Sequence, residues 1–129
     1  PITSLQKVIK ICPELNENLI NLKISKMSFE DDLLRSDYAL YRGSTTIIKA
    51  VQYGLIPIYF NKENEMSIDP LFEESIYRFE IQKKEDLKII FSCSQNELIK
   101  RQQMLINYVN DFFSPLDYSI ISKIEEISK

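Results

Sequence analysis

Tyr38-Ala39-Leu40-Tyr41-Arg42-Gly43-Ser44-Thr45-Thr46-Ile47-Ile48-Lys49-Ala50-Val51-Gln52-Tyr53-Gly54-Leu55-Ile56-Pro57-Ile58-Tyr59-Phe60 carries the information that decides the fold. Its first four residues are aromatic or aliphatic and too few for a helix, so they read as a short strand. Gly43-Ser44 makes a turn. From Thr45 to Tyr53 the apolar residues Ile47, Ile48, Ala50 and Val51 recur with helical spacing. Gly54 then stands where a helix ends in the left-handed conformation. Leu55 to Phe60 is nearly all apolar, as expected of a strand covered on both faces of a parallel sheet. Strand, turn, helix and strand in this order make one βαβ unit.

The same alternation continues downstream. Asn61 to Ser67 is a polar loop, and Asp69-Pro70-Leu71-Phe72 starts a short helical turn. Tyr77-Arg78-Phe79-Glu80-Ile81 alternates like an edge strand. Lys84 to Phe91 is a short helix with Leu87, Ile90 and Phe91 inward. Ser94-Gln95-Asn96-Glu97 is a capping box. It opens a long helix with Leu98, Leu105, Ile106, Val109, Phe112 and Phe113 on its apolar side. Ser114-Pro115 ends that helix and begins a last one through Ile120, Ile121, Ile124 and Ile127.

Upstream, Ser28 caps a helix with acids in its first turn, and Phe29, Leu33 and Leu34 form its buried face. Asn21 to Ser25 is a strand candidate built on Leu22 and Ile24. Leu5, Val8, Ile9 and Cys12 fall on one helical face, although their β-branched neighbours also allow a strand. Pro13 ends either element. The expected fold is therefore α/β. It has a Rossmann-like, mostly parallel sheet of about four strands, helices on both faces and two C-terminal helices.

Composition narrows the function classes. The 129 residues fit one domain, with 44% hydrophobic and 27% charged residues, a globular balance. A net charge of −3 argues against a duplex nucleic-acid binder, which carries a basic stripe. Cys12 and Cys93 are too few for a disulfide framework and fit inert thiols in a reducing compartment. The chain contains no His, so the commonest general base and metal ligand is missing, and no metal site is expected. No apolar run reaches the length of a membrane span. The first residue is Pro1, which suggests a piece of a longer protein.

Arg42-Gly43-Ser44-Thr45-Thr46 is the candidate site. Ligands of open α/β sheets bind beyond the carboxyl ends of the strands, where this run lies. A helix N-terminus offers unpaired N–H groups and a positive dipole end. Gly43 lets the backbone approach a phosphate, Ser44, Thr45 and Thr46 add hydroxyls, and Arg42 adds charge. The same run is also an ordinary helix cap with nothing bound, and the pattern alone leaves both readings open. It matches neither a Walker A loop nor Gly-x-Gly-x-x-Gly. Glu63 and Glu65 read as solvated loop acids rather than a catalytic pair.

The order from Ser36 to Phe60 resembles the donor-binding region of GT-B glycosyltransferases of the surface-carbohydrate type. In that superfamily an Asp-containing helix end, a strand, a Gly/Ser-rich turn, a helix closing on A-x-x-x-G and a strand near a Pro follow one another. Asp69-Pro70-Leu71 fits the same pattern. The resemblance covers roughly Leu22 to Leu71. It implies that Gly43, Ser44, Thr45 and Thr46, with Arg42, hold the phosphates of a nucleotide-sugar. It places Ser25, Lys26 and Met27 near the nucleobase, and the loop Asn61-Lys62-Glu63-Asn64, with Asn61, Glu63 and Asn64 singled out, near the sugar and the interdomain cleft. The acceptor would be a glycan or a lipid-linked glycan, and the nucleotide-sugar would be a substrate, with no cofactor. Residues 1–129 would be the C-terminal half of a two-domain enzyme of the cytoplasm or the inner face of the membrane, inactive without its N-terminal domain. Where many members carry a ribose-binding Glu, this chain has Lys49, which cannot accept a hydrogen bond. The alternative is a non-catalytic α/β module that binds a nucleotide or phosphate for regulation.

Overall fold

A computed structural model describes residues 24–63 and 65–112, together with Lys7, Lys10, Ile11 and Pro13. The chain divides into two compact units, Pro1–Asp32 and Leu33–Lys129. In the first, Lys7, Lys10 and Ile11 are helical, as the apolar spacing suggested, and Pro13 lies in a 3-10 turn. Leu5, Val8, Ile9 and Cys12 lie outside the described residues. Ile24 and Ser25 are not in a strand, and the remainder of the strand expected at 21–25 is outside the described residues. Ser28 caps helix α1, Phe29–Leu34, as expected: its Oγ accepts from the Asp31 N–H at 3.1 Å. Only Leu33 of α1 is buried. Phe29 is 44% exposed and Leu34 73%, so the anticipated three-residue buried face shrinks to one side chain. A six-residue helix is too short to hold two inward rows.

The second unit holds the sheet. Strands β1 (Tyr38–Tyr41), β2 (Ile56–Phe60) and β3 (Phe79–Ile81) are all parallel, in the order β1-β2-β3. Tyr38 pairs with Ile56 and Tyr41 with Tyr59, and Ile58 pairs with Phe79. Central β2 is buried except at half-buried Phe60, which accounts for its apolar run. Helix α2, Thr46–Gln52, joins β1 to β2. A 3-10 turn, Lys84–Asp86, leads into α3, Leu87–Phe91, and α4 runs from Gln95 to Phe112. Ser94 Oγ accepts from the Glu97 N–H at 3.3 Å, while the Glu97 carboxylate takes the Arg101 Nε–H at 2.8 Å. The carboxylate's bond to Arg101 replaces the return half of the expected capping box.

Two clusters lie against opposite sides of the sheet. Tyr41 and Tyr59 pack with Ile47, Ala50 and Val51 of α2 and with Leu105 and Val109 of α4. Ile56, Ile58, Phe79 and Ile81 pack with Ile90 of α3. Each fully buried aliphatic side chain contributes about 1.5–3 kcal/mol relative to exposure. Phe91 and Phe112, expected inward, are 66% and 54% exposed. Their rings instead stand edge-on to Tyr38 and Tyr108 at the rim. Three strands, not four, occur among the described residues, and of the two C-terminal helices only α4 does. Phe113, Ser114, Pro115 and the terminal isoleucines lie outside them.

The β2–β3 connection departs most from expectation. Parallel neighbours need a long crossover, usually a helix. Residues 61–78 supply one without any helix among the described residues, only turns. The helical turn expected at Asp69 is a hydrogen-bonded turn, with the Phe72 N–H on Asp69 O at 3.2 Å. Leu71 pins the connection by inserting, fully buried, into the first cluster.

Candidate functional site

The carboxyl ends of β1 and β2 bring two predicted loops to one edge of the sheet. β1 ends at Tyr41, and the chain turns through Arg42, Gly43 and Ser44 into α2. Gly43 has φ +70°, a left-handed backbone that other residues adopt at a cost. A Cβ there would lie 2.8 Å from Ser67 Oγ and 3.2 Å from Ile68 O. The glycine thus serves a close approach: the β2–β3 connection crosses directly against the turn.

The three hydroxyls begin α2. Ser44 Oγ and Thr46 Oγ1 are 2.6 Å apart and share a hydrogen bond. The Thr46 N–H reaches Ser44 Oγ at 3.4 Å, a weak contact. Thr45 is the N-cap residue but makes no side-chain cap bond. Thr45 and Thr46 are exposed and Ser44 is half-buried. Arg42 is exposed, and its Nη2 pairs with Glu65 Oε2. Lys62 Nζ takes Oε1 of the same carboxylate. Hydrogen bonds from Lys62 and then Arg42 hold the Glu65 carboxyl below its ordinary range. Lys49, in α2, is half-buried.

Beside the turn, a polar knot ties the connection down. Arg78 is 8% exposed. Its Nε–H donates to Asp69 Oδ2 at 2.6 Å and its Nη1 to Glu80 Oε2 at 2.9 Å. Its guanidinium stacks 4.4 Å over the Tyr59 ring. Asp69 Oδ1 accepts from Tyr41 Oη at 2.7 Å and from the Leu71 N–H at 3.0 Å. Burial opposes the charge on Arg78, but its bonds to Glu80 and Asp69 outweigh that and raise its pKa. Burial, and then donation to Asp69, push the Tyr41 hydroxyl up. The Asn61 amide donates to Glu80 Oε1 at 2.7 Å, the largest influence lowering the Glu80 carboxyl. A hollow of about 540 Å³ opens among Tyr59, Asn61, Ser67, Phe72, Arg78 and Glu80. Ser67 is among its lining residues, and its Oγ is buried without a hydrogen-bond partner.

Of the residues predicted for the sugar side, Asn61 lines this hollow, Glu63 is exposed, and Asn64 lies outside the described residues. Ser25, Lys26 and Met27 belong to the first unit and are exposed. There Ser25 Oγ donates to Asp32 at 2.6 Å and accepts from the Met27 N–H at 3.1 Å. Sequence reasoning missed Glu65, Ser67, Asp69, Arg78 and Glu80 as members of this edge. One signal was present: in an alternating strand, Arg78 and Glu80 share a face. That face is closed at Arg78 by the connection, through Asp69. A second hollow, about 500 Å³, lies at the opposite edge beside Asp37, Gly54 and Gln102. Strand starts are not where open α/β sheets bind ligands.

Among the described residues, no helix is long and apolar enough to cross a membrane. No family model, curated protein or solved structure matches the chain.

Proposed function

We propose that this chain is the donor-binding part of a glycosyltransferase of the GT-B type. It would hold a nucleotide-sugar for transfer to a surface-glycan or lipid-linked acceptor, with the second half of the cleft supplied by an N-terminal domain at the cytoplasmic side of the membrane. The observation that carries the reading is the Gly43 turn. It sits at the carboxyl end of a parallel strand, with Ser44, Thr45 and Thr46 opening the following helix. The long irregular connection crossing that turn adds support, since loops of this length without regular structure usually carry function.

In this reading the diphosphate lies along the turn. The hydroxyls and Arg42 stabilise charge as it develops on the departing phosphate, a form of catalysis that needs donors already in place. The hollow beside Asn61 and Glu80 lies next to it, towards the sugar.

NMR titration with UDP, CDP, GDP and CMP tests the proposal. Saturable binding of one nucleotide, weakened at least tenfold in Ser44→Ala/Thr45→Ala, is the expected result. Binding of inorganic phosphate with no preference among nucleotides would instead favour a regulatory phosphate-binding module. A folded protein that binds none of them would remove the phosphate role of the turn.

A further inference from the structure

Arg42 and Lys62 belong to different loops, one after β1 and one after β2, yet both converge on Glu65. Each takes one oxygen of that carboxylate. Two cations spaced to hold the two oxygens of one anion would also suit a phosphate. We infer that Arg42 and Lys62 form an anion subsite beside the Gly43 turn, and that Glu65 occupies it as an internal competitor until a phosphate-bearing ligand displaces it. This inference rests on the phosphate-binding reading of the turn and adds to it a second cation and a built-in latch.

Three features support displacement rather than a fixed strut. The connection is held elsewhere, by buried Leu71, by the Asp69–Arg78 pair and by the packing of Ser67 on Gly43. Glu65 is therefore not needed to keep it in place. Lys62, Glu63, Glu65 and Met66 are all exposed, so the carboxylate can swing out without opening the core. Exposed ion pairs are also weak, so a ligand phosphate with greater charge can outcompete the carboxylate. Glu65 stays ionised through the neutral range, since both cations lower its carboxyl, so the latch is set whenever the ligand is absent.

The test titrates inorganic pyrophosphate, and the nucleoside diphosphate preferred by the wild type, at constant ionic strength. The variants are Glu65→Gln, Arg42→Gln, Lys62→Gln and Arg42→Gln/Glu65→Gln. Glu85→Gln, an equal charge change in the exposed turn after β3, is the control. Glu65→Gln is expected to tighten binding about three- to tenfold. Arg42→Gln and Lys62→Gln should each weaken it, and Arg42→Gln should reduce the gain given by Glu65→Gln to the part owed to Lys62. Circular dichroism should show unchanged folding in all five variants, since every altered side chain is exposed. Equal effects of Glu65→Gln and Glu85→Gln, or a gain undiminished by loss of Arg42, would overturn the latch. If wild type still binds in a Ser44- and Thr45-dependent way, only the latch falls. If neither wild type nor Glu65→Gln binds any phosphate, the reading of the turn falls with it.

Discussion

Two glycines occur in the chain, and each answers a different demand. Both have positive φ, +70° at Gly43 and +86° at Gly54. At Gly54 an added Cβ meets mainly the Gln102 amide, the movable end of a long side chain. At Gly43 it meets Ser67 Oγ and the Ile68 backbone, which cannot move without shifting the connection. Gly54→Ala should therefore cost little beyond the left-handed strain, about 1–2 kcal/mol. Gly43→Ala should cost about 1 kcal/mol more, since overpacking adds to the strain. Urea unfolding of both variants checks the order. Combining Gly43→Ala with Ser67→Gly should recover part of the excess, and the Ile68 carbonyl should keep the rest. Equal losses at the two glycines would mean that the connection does not press on the turn. The position of Gly54 was legible in the sequence because it closes a helix, a local demand. The contact made by Gly43 was not, because its partner lies more than twenty residues away.

The β2–β3 connection is where local pattern and tertiary structure part. The strand–turn–helix–strand unit was readable because each of its elements announces itself within a few residues. The connection has no period, and what fixes it is the pairing of Asp69 with Arg78 and of Asp69 with Tyr41. Those partners are set by the sheet, so nothing in the segment's own sequence names them. Faces were also less legible than elements. Spacing placed Phe91 and Leu34 on apolar faces but could not show that they stay largely exposed. If the knot anchors the connection, Asp69→Ala should destabilise by about 2–4 kcal/mol, somewhat below the usual cost of breaking a buried pair because Glu80 still faces Arg78. Arg78→Met should cost a similar amount. The double variant should lose clearly less than the sum, as expected for partners in one network. Additive losses in a denaturant cycle would show that the two residues act separately.

At the scale of the whole molecule, the absence of histidine sets the response to pH. No side chain in the sequence has an ordinary value between about 5 and 8. Stability should therefore be flat from pH 6 to 8, changing by less than about 0.5 kcal/mol, and should fall on either side. On the acid side, Glu80 and Asp86 sit below their ordinary values: Glu80 chiefly through the Asn61 amide, Asp86 through the Gln82 and Lys83 backbone N–H groups. A carboxyl lowered in the folded state contributes stability above its unfolded value, and that contribution is lost as pH falls through the folded one. Glu80→Gln should accordingly flatten the limb below about pH 4.5. On the alkaline side the sign reverses. Tyr41 is raised, by burial first and by its bond to Asp69 second. Its contribution is complete below the unfolded value near 10 and drains away as pH climbs from there towards the folded value. Tyr41→Phe should lower stability at pH 7, because Asp69 loses a donor. It should also reduce the decline between about pH 9.5 and 11, leaving the share of Tyr108, whose hydroxyl is likewise raised by burial and by Glu73. Unfolding free energies measured across that window for both proteins decide the matter. Parallel alkaline limbs would mean that Tyr41 ionises no less readily in the folded chain than in the unfolded one, and that its hydroxyl is not sealed beneath the connection.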